Sequence, residues 1–428
     1  MTYEEITDFL FTSLPLYHKS GSAAYKPGLQ NIEALDALCH NPHNRYLTVH
    51  VAGSNGKGSV SHTLASVLQS SGYKTGLYTS PHLKDFRERI RVDGEMIPEE
   101  KVIDFTRRLM DSCKNFSPSF FEWTTEMAFS HFADTGVDIA VIETGLGGRL
   151  DSTNIITPVL SVITNISLEH TALLGDTLEK IAFEKAGIIK PCVPVVIGES
   201  DGAVRDVFAN RAKELNSPIS FADSEKILYS SERTGNGTWK LNTVLFGEIE
   251  YGLGGAYQLK NAVTILDAIE VLKNIGIRID RRSVADGFRN VVSNTGLRGR
   301  WEQVCDDPRT ICDTGHNPGG ITYVADQLRR EKYNNLHIVF GMVNDKDTDG
   351  VLSLLPRNAR YYFTQPAIPR ALPADKIRET GISHGLHGGS YTSVADAYRA
   401  ACSEYRPGDM IYVGGSTFVV ADLLNAFF

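Results

Sequence analysis

Short apolar runs alternate along the chain with longer amphipathic stretches. Residues 46–53, YLTVHVAG, alternate in polarity and are rich in β-branched side chains, which predicts a strand. GSVSHTLASVLQSSG then follows helical spacing and stops at Gly72. KTGLYTSPH predicts a second strand ending at a Ser-Pro break, and RIRVDGEMI a hairpin around Asp93-Gly94. Helices are expected over 98–113 and 122–135. VDIAVIETG and PVLSVITNI are continuous apolar runs of the kind buried in a parallel sheet. Strands alternating with helices predict a doubly wound α/β domain. Residues 225–256 change to short alternations broken by Gly, Asn and Ser, which predicts a small antiparallel sheet within that domain. Helical spacing returns at 258–275 and 280–290. The Gly-rich stretch SNTGLRGR (293–300) marks a boundary. Beyond it TICDTG, LHIVFGMV, RYYFTQP and DMIYVGG, each with a helical pattern nearby, predict a smaller α/β domain. The expected division is 1–296 and 297–428, and 428 residues suit two domains.

Composition adds exclusions. At 42% hydrophobic and 22% charged residues, a folded soluble protein is expected. The net charge of -8, with no Lys/Arg block, argues against a nucleic-acid surface, though a local pocket can still take an anion. The six cysteines (Cys39, Cys113, Cys192, Cys305, Cys312 and Cys402) include no C-x-x-C pair and read as reduced thiols of a cytoplasmic protein. The acidic, amphipathic start MTYEEITDFL is not a signal peptide, and no apolar run reaches membrane-spanning length.

Residues 50–61, VHVAGSNGKGSV, carry the first chemistry. A strand enters this Gly-rich loop and a helix leaves it, so backbone N–H groups and the helix dipole would favour an anion. The Walker A pattern is not met: Gly58 follows Gly56-Lys57, the hydroxyl arrives at Ser59, and the opening glycine's place holds Val51. Taken alone, the loop favours a phosphate site over a ligand-free turn, which Asn-Gly-Lys-Gly would also suit. TSPHL (79–83), FFEWTTEMAF (120–129), ETGLGGRLDSTN (143–154), ITNISLEH (163–170), EKAGIIK (184–190), YQLKNA (257–262), GRW (299–301) and DTGHNPGG (313–320) follow in that order. Together they resemble the folylpolyglutamate synthase/dihydrofolate synthase family of Mur-type ATP-dependent amide ligases, from about Gly28 to Ser416.

The resemblance implies a P-loop-containing, doubly wound N-terminal domain like the Mur ligase central domain, with a smaller Rossmann-like α/β C-terminal domain. It implies transfer of the ATP γ-phosphoryl group to an acceptor carboxylate, then attack by the amine of L-glutamate. An anion attacking a polyphosphate needs cations. Lys57 is one, in a nucleotide site with Asn55, Gly56, Gly58 and Ser59. Ser80, Glu143 and His170 each follow an apolar strand, and the family uses the matching residues as magnesium ligands. By themselves Glu143 reads equally as a salt-bridge partner and His170 as a structural histidine. Lys185, by pattern a surface lysine, matches a position that is carbamylated in relatives, where it would help hold a second magnesium. A monovalent cation is a further expected cofactor. Asn261, Arg300 and Asp313 match nucleotide-binding positions, and His316 a supporting catalytic one, although it reads equally as a turn residue before Pro318. The acceptor would lie against Gly28-Leu29-Gln30, Phe121-Glu122-Trp123-Thr124 and Leu150-Asp151-Ser152, the aromatic rings stacking on a flat heterocycle unless they are simply core. The expected partners are these small molecules, dihydropteroate or folate, L-glutamate and ATP, on a monomer with no nucleic acid or membrane. A UDP-sugar ligase would place its loop about a hundred residues in, and a nucleotide switch would need a base-reading motif. Polyglutamylation with dihydrofolate synthesis is favoured over either rival and over polyglutamylation alone.

Overall fold

The computed structural model describes residues 1–15, 28–112, 117–235 and 237–428; Cys113 lies outside them. The chain divides into two compact units, Met1–Gly252 with Gln258–Leu297, and Leu253–Tyr257 with Arg298–Phe428.

Among the described residues, the main sheet of the first unit has eight strands: β1 (Leu47–Ala52), β2 (Thr75–Tyr78), β3 (Ile90–Val92), β4 (Glu95–Met96), β5 (Ile139–Glu143), β6 (Leu160–Ile163), β7 (Val195–Ile197) and β8 (Ile219–Phe221). They lie in the order β4-β3-β2-β5-β1-β6-β7-β8. The run from β2 to β8 is parallel, and the β3–β4 hairpin extends the edge antiparallel. Its turn puts Asp93 and Gly94 at φ 50° and 85°, the paired left-handed conformation that Asp-Gly supplies. Register sets Thr48 and His50 beside Ala140 and Ile142, and Ala52 beside Ile163. Helices Tyr3–Ser13, Gln30–Leu38 and Phe120–Thr135 bury apolar side chains against that face at Tyr78, Ala140 and Ile142. Helix Leu178–Ala186 does so farther along, at Ile163 and Ile197.

Helix Lys57–Ser70 is buried at every residue from Gly58 to Leu68. That explains its small side chains. Ser66 Oγ donates to Gly287 O at 2.7 Å, and a Cβ at Gly287 would fall 2.5 Å from Val67 Cα. Helix Arg281–Arg289 therefore lies directly on it. The expected small sheet is β9 (Leu228–Arg233), β10 (Trp239–Thr243) and β11 (Gly247–Tyr251), all antiparallel.

The second unit holds β12 (Glu302–Asp306), β13 (Arg309–Asp313), β14 (Leu336–Gly341), β15 (Arg360–Thr364), β16 (His387–Tyr391) and β17 (Met410–Gly414), ordered β12-β13-β17-β14-β15-β16. All but β12 are parallel. Sequence periodicity did not anticipate β7, β8, β12 or β16. The first two have three residues each. β16, HGGSY, has no apolar face; a Cβ at Gly388 would sit 1.8 Å from Tyr361 O, so glycine lets this edge strand approach. Among the described residues, no helix is long and apolar enough to cross a membrane.

Candidate active site

In the strand order, β2, β5, β1 and β6 are neighbours. Their carboxyl ends release, in turn, Ser80, Glu143, the Gly53–Lys57 loop and the 164–170 segment. Parallel α/β sheets bind ligands at this edge. Ser80, Glu143 and His170 thus come to one edge although 90 residues of sequence separate the first from the last.

The loop is latched to the β6 exit. Ser54 N donates to Asn165 O and Asn55 N to Asn165 Oδ1, both at 2.9 Å. Asn55 Nδ2 donates to Ser167 Oγ at 3.0 Å. Gly56 (φ 83°) turns the chain into helix Lys57–Ser70, and no side chain caps the helix. Its first N–H groups have no intrahelical acceptor, so they point toward whatever occupies the loop. Ser59 is buried and accepts from Gln258 Nε2 at 3.1 Å; Gln258 Oε1 in turn accepts from Asn261 Nδ2 at 2.8 Å. A Cβ on Gly56 would lie 2.3 Å from Asn261 Oδ1. The structure thereby brings Asn261 onto the loop, 205 positions after Gly56. Gly56→Ala meets both a left-handed φ and this contact, costing about 1–3 kcal/mol. Calorimetry should find ADP affinity at least about tenfold weaker; unchanged affinity would mean the close approach is dispensable.

Two ammonium groups meet at one carbonyl. Lys57 Nζ and Lys185 Nζ each donate to Gly53 O at 2.9 Å. Lys185, 1% exposed, also pairs with Glu169 Oε1 at 2.6 Å. Burial opposes ionisation of Glu169, but Lys185, Lys57 and His170 outweigh it and hold the carboxyl well below its usual range. Burial also lowers the Lys185 pKa; Glu169 resists and Lys57 adds to the fall. The causes differ: surrounding positive groups lower Glu169, whereas burial first and Lys57 second lower Lys185. Lys185 is therefore not the surface residue its pattern suggested.

Glu143, 4% exposed, ends β5. Among the described residues, no three of His, Cys, Asp and Glu gather closely enough to hold a metal alone. Magnesium does not require that; it binds through one or two carboxylates while keeping waters and phosphate oxygens. The Ser80 hydroxyl and the Glu143 carboxylate at one sheet edge fit a single Mg2+ on those terms, whereas the His170 imidazole is a softer donor than magnesium prefers.

The acceptor segments need correction. Trp123 is 1% exposed and packs edge-on to Phe9 and Phe105 at 6.0 and 6.3 Å, so it is core and offers no stacking face. Glu122 closes a capping box: Ser119 N donates to its carboxylate at 2.6 Å and Glu122 N to Ser119 Oγ at 3.2 Å. Thr124 is buried against Phe121 O and Tyr78 OH. Only Phe121 is partly exposed, standing against Gly145 and 6.0 Å from the Tyr78 ring. Asp151 is buried. Its Oδ2 accepts from Leu146 N at 2.7 Å and its Oδ1 from Thr153 N at 3.0 Å, so it shapes the 145–154 turn. Leu150 and Ser152 beside it are half-buried. Gly28 (φ 123°), Leu29 and Gln30 start helix Gln30–Leu38, with Leu29 packed on the core.

In the second unit Asp313 ends β13. Its Oδ2 accepts from Tyr257 OH at 2.5 Å and Trp301 N at 2.8 Å, and its Oδ1 from Gly315 N at 2.8 Å. Burial raises its pKa against those bonds. Arg300 donates to Thr314 Oγ1 and, at 3.2 Å, to Gly299 O. His316 Nδ1 donates to Thr314 O at 3.0 Å, just before helix Pro318–Arg330. These three residues form one cluster at the end of β13. Sequence reading missed Glu169 as the partner of Lys185, and Gln258 as the link from Ser59 to Asn261; Gln258 lies in the YQLKNA motif.

Comparison with known proteins gives the same family. The Mur ligase middle domain family matches residues 51–268, and the family described as Mur ligase, glutamate ligase domain matches 299–417. The dihydrofolate synthase/folylpolyglutamate synthase of Escherichia coli is 32% identical over 88% of this chain and 85% of its own length. A Haloferax volcanii relative, named for folylpolyglutamate synthase and dihydropteroate synthase together, is 34% identical over 99% of this chain, which spans only 50% of it. The solved structure of E. coli FolC in complex with DHPP and ADP superposes with a TM-score of 0.85 at 29% identity, covering 100% of this chain and 97% of the other. A Yersinia pestis bifunctional enzyme solved with AMPPNP and a Mn ion gives 0.81 at 28% identity, covering 100% and 98%. With its two domain matches and a loop, lysine pair and sheet edge suited to nucleotide chemistry, the chain belongs to the folylpolyglutamate synthase/dihydrofolate synthase family of ATP-dependent glutamate ligases.

Proposed function

We propose that this chain joins L-glutamate both to dihydropteroate and to reduced folates, each time through an acyl phosphate. The observation that carries this reading is the convergence of Lys57 and Lys185 on Gly53 O at the uncapped start of a helix. That is an anion site with surplus positive charge, at the sheet edge where Ser80, Glu143 and His170 could hold Mg2+. Lys57 would neutralise the outer phosphates while the loop N–H groups hold them in place. Asn261 and Ser59 would position the nucleotide. Arg300, Asp313 and His316, clustered at the end of β13, match the family's nucleotide-binding and supporting catalytic positions. A bound Mg2+ would neutralise phosphate charge. Phe121 would carry the pterin, and the Gly28–Gln30 and Leu150–Ser152 segments would border it. The E. coli and Y. pestis relatives, with their bound ADP, DHPP, AMPPNP and Mn ion, support the cofactor and acceptor assignments.

The test is phosphate release with Mg-ATP and L-glutamate, products followed by mass, using dihydropteroate, tetrahydrofolate or neither. Glutamate should be added to both acceptors. Addition to tetrahydrofolate alone would make the enzyme a dedicated polyglutamylating one, and no glutamate-dependent turnover would remove the reading.

A further inference from the structure

Arg89 closes the short turn Phe86–Arg89 and leads into β3. Its carbonyl accepts from Thr79 N at 3.0 Å, which pins it beside Thr79-Ser80, where β2 leaves the sheet. The residue is 2% exposed. A buried guanidinium needs an anion, yet the carboxylates beside it in sequence are committed. Asp85 takes Arg87, with Nε 3.1 Å from both its oxygens and Nη2 2.7 Å from Oδ2. Glu88 accepts from the backbone N–H of Leu83, Lys84 and Asp85 at 2.7, 2.9 and 2.9 Å. Arg89 has one neutral acceptor and one ring. Its Nε donates to His82 Nδ1 at 2.7 Å, and its guanidinium carbon is 5.1 Å from the Phe120 ring centroid. Because Nδ1 accepts, His82 is neutral with its proton on Nε2. Among the described residues, no carboxylate pairs with Arg89, and Nη1 and Nη2 make no hydrogen bond.

Two features place this cation near the site. Phe120 adjoins Phe121, the one aromatic of its segment left partly exposed. Glu143 lies within electrostatic reach: burial draws the Arg89 pKa down to about 10, while Tyr78, Glu88 and Glu143 act to raise it. The guanidinium therefore packs on the helix that carries Phe121, within electrostatic reach of Glu143.

We infer that Arg89 receives the reacting carboxylate of the acceptor. The inference rests on the ligase reading above. The planar fork matches a carboxylate. With one carboxylate oxygen held by Arg89, the other attacks the γ-phosphorus as the bond to ADP breaks, giving acyl phosphate and ADP. Arg89 would thus be a catalytic residue that selects acceptors ending in an ionised carboxylate.

The experiment is calorimetric binding of dihydropteroate and of its carboxamide, with Mg2+ and a non-hydrolysable ATP analogue present. Wild type should prefer the carboxylate by about 30-fold, the scale of a charge-assisted pair. In Arg89→Met the preference should shrink to within about threefold, with carboxamide affinity kept. Arg89→Lys should fall between, and the analogue should bind all three equally. A purely structural Arg89 would leave the preference intact in Arg89→Met, and that result overturns the inference. So would a wild-type protein that binds both compounds equally, a result that needs no variant to fold. Binding of neither compound by wild type would overturn the ligase reading itself.

Discussion

Replacing Lys57 with alanine is expected to take ligation of both acceptors to the assay floor, a fall of about a thousandfold in turnover. Removing one preorganised donor from a developing charge costs about a hundredfold to a thousandfold. Lys57 belongs at the upper end, because the reaction brings two anions together. The variant should still fold. Lys57 is half-exposed and, among the described residues, hydrogen-bonds through its side chain to Gly53 O alone, within its own loop, so stability should shift by less than about 1 kcal/mol. Thermal melting beside the phosphate-release assay separates the two effects. Both acceptors must fail together, since one phosphoryl-transfer step serves them. Retention of either activity would mean that the loop is not the phosphate site.

The strand–loop–helix around Lys57 was legible because its signals are local: alternation before Gly53, glycines in the turn, helical spacing after it. The capping box at Ser119-x-x-Glu122 was equally local, and its signature stands in SFFE; reading Glu122 as a ligand overlooked it. Trp123 was not legible. Helix Phe120–Thr135 is buried around most of its circumference, so periodicity could not tell the ring that faces the core from the one at its margin. The same limit hid Arg89 among three arginines in RERIR, two of which do ordinary work: Arg87 pairs with Asp85, and Arg91 donates to Gly94 O. The missed strand β16 shows the converse case, an edge strand specified by the space its glycines leave rather than by any apolar pattern.

Lys185 is where charge, burial and chemistry bear on one another most strongly. A carbamate forms when a neutral amine takes up CO2 and releases a proton. Burial and Lys57 favour that neutral amine by lowering the Lys185 pKa, while Glu169 opposes it. The product would convert an ammonium–carboxylate pair into two facing anions, a change of two charges in a buried site. Such a pair persists only with a compensating cation. Carbamylation is therefore expected only with divalent metal and nucleotide present, seen as a 13C resonance from labelled bicarbonate that vanishes on chelation. Two variants separate chemistry from fold. Lys185→Arg keeps a cation for Glu169 but cannot form the carbamate, so it should stay folded and lose at least about a hundredfold in turnover. Lys185→Ala should lose activity and about 3–5 kcal/mol of stability, because Glu169 is left buried without its closest partner. The pH dependence follows from Glu169, whose carboxyl is held below the ordinary value of 4.5. Its contribution is complete above pH 4.5. Below it the unfolded chain takes up the proton first, so stability falls as pH drops. Wild type and Lys185→Arg should share that acid slope, and Lys185→Ala should show less of it. An active Lys185→Arg would rule out the carbamate and leave Lys185 as a structural cation beside the phosphate loop.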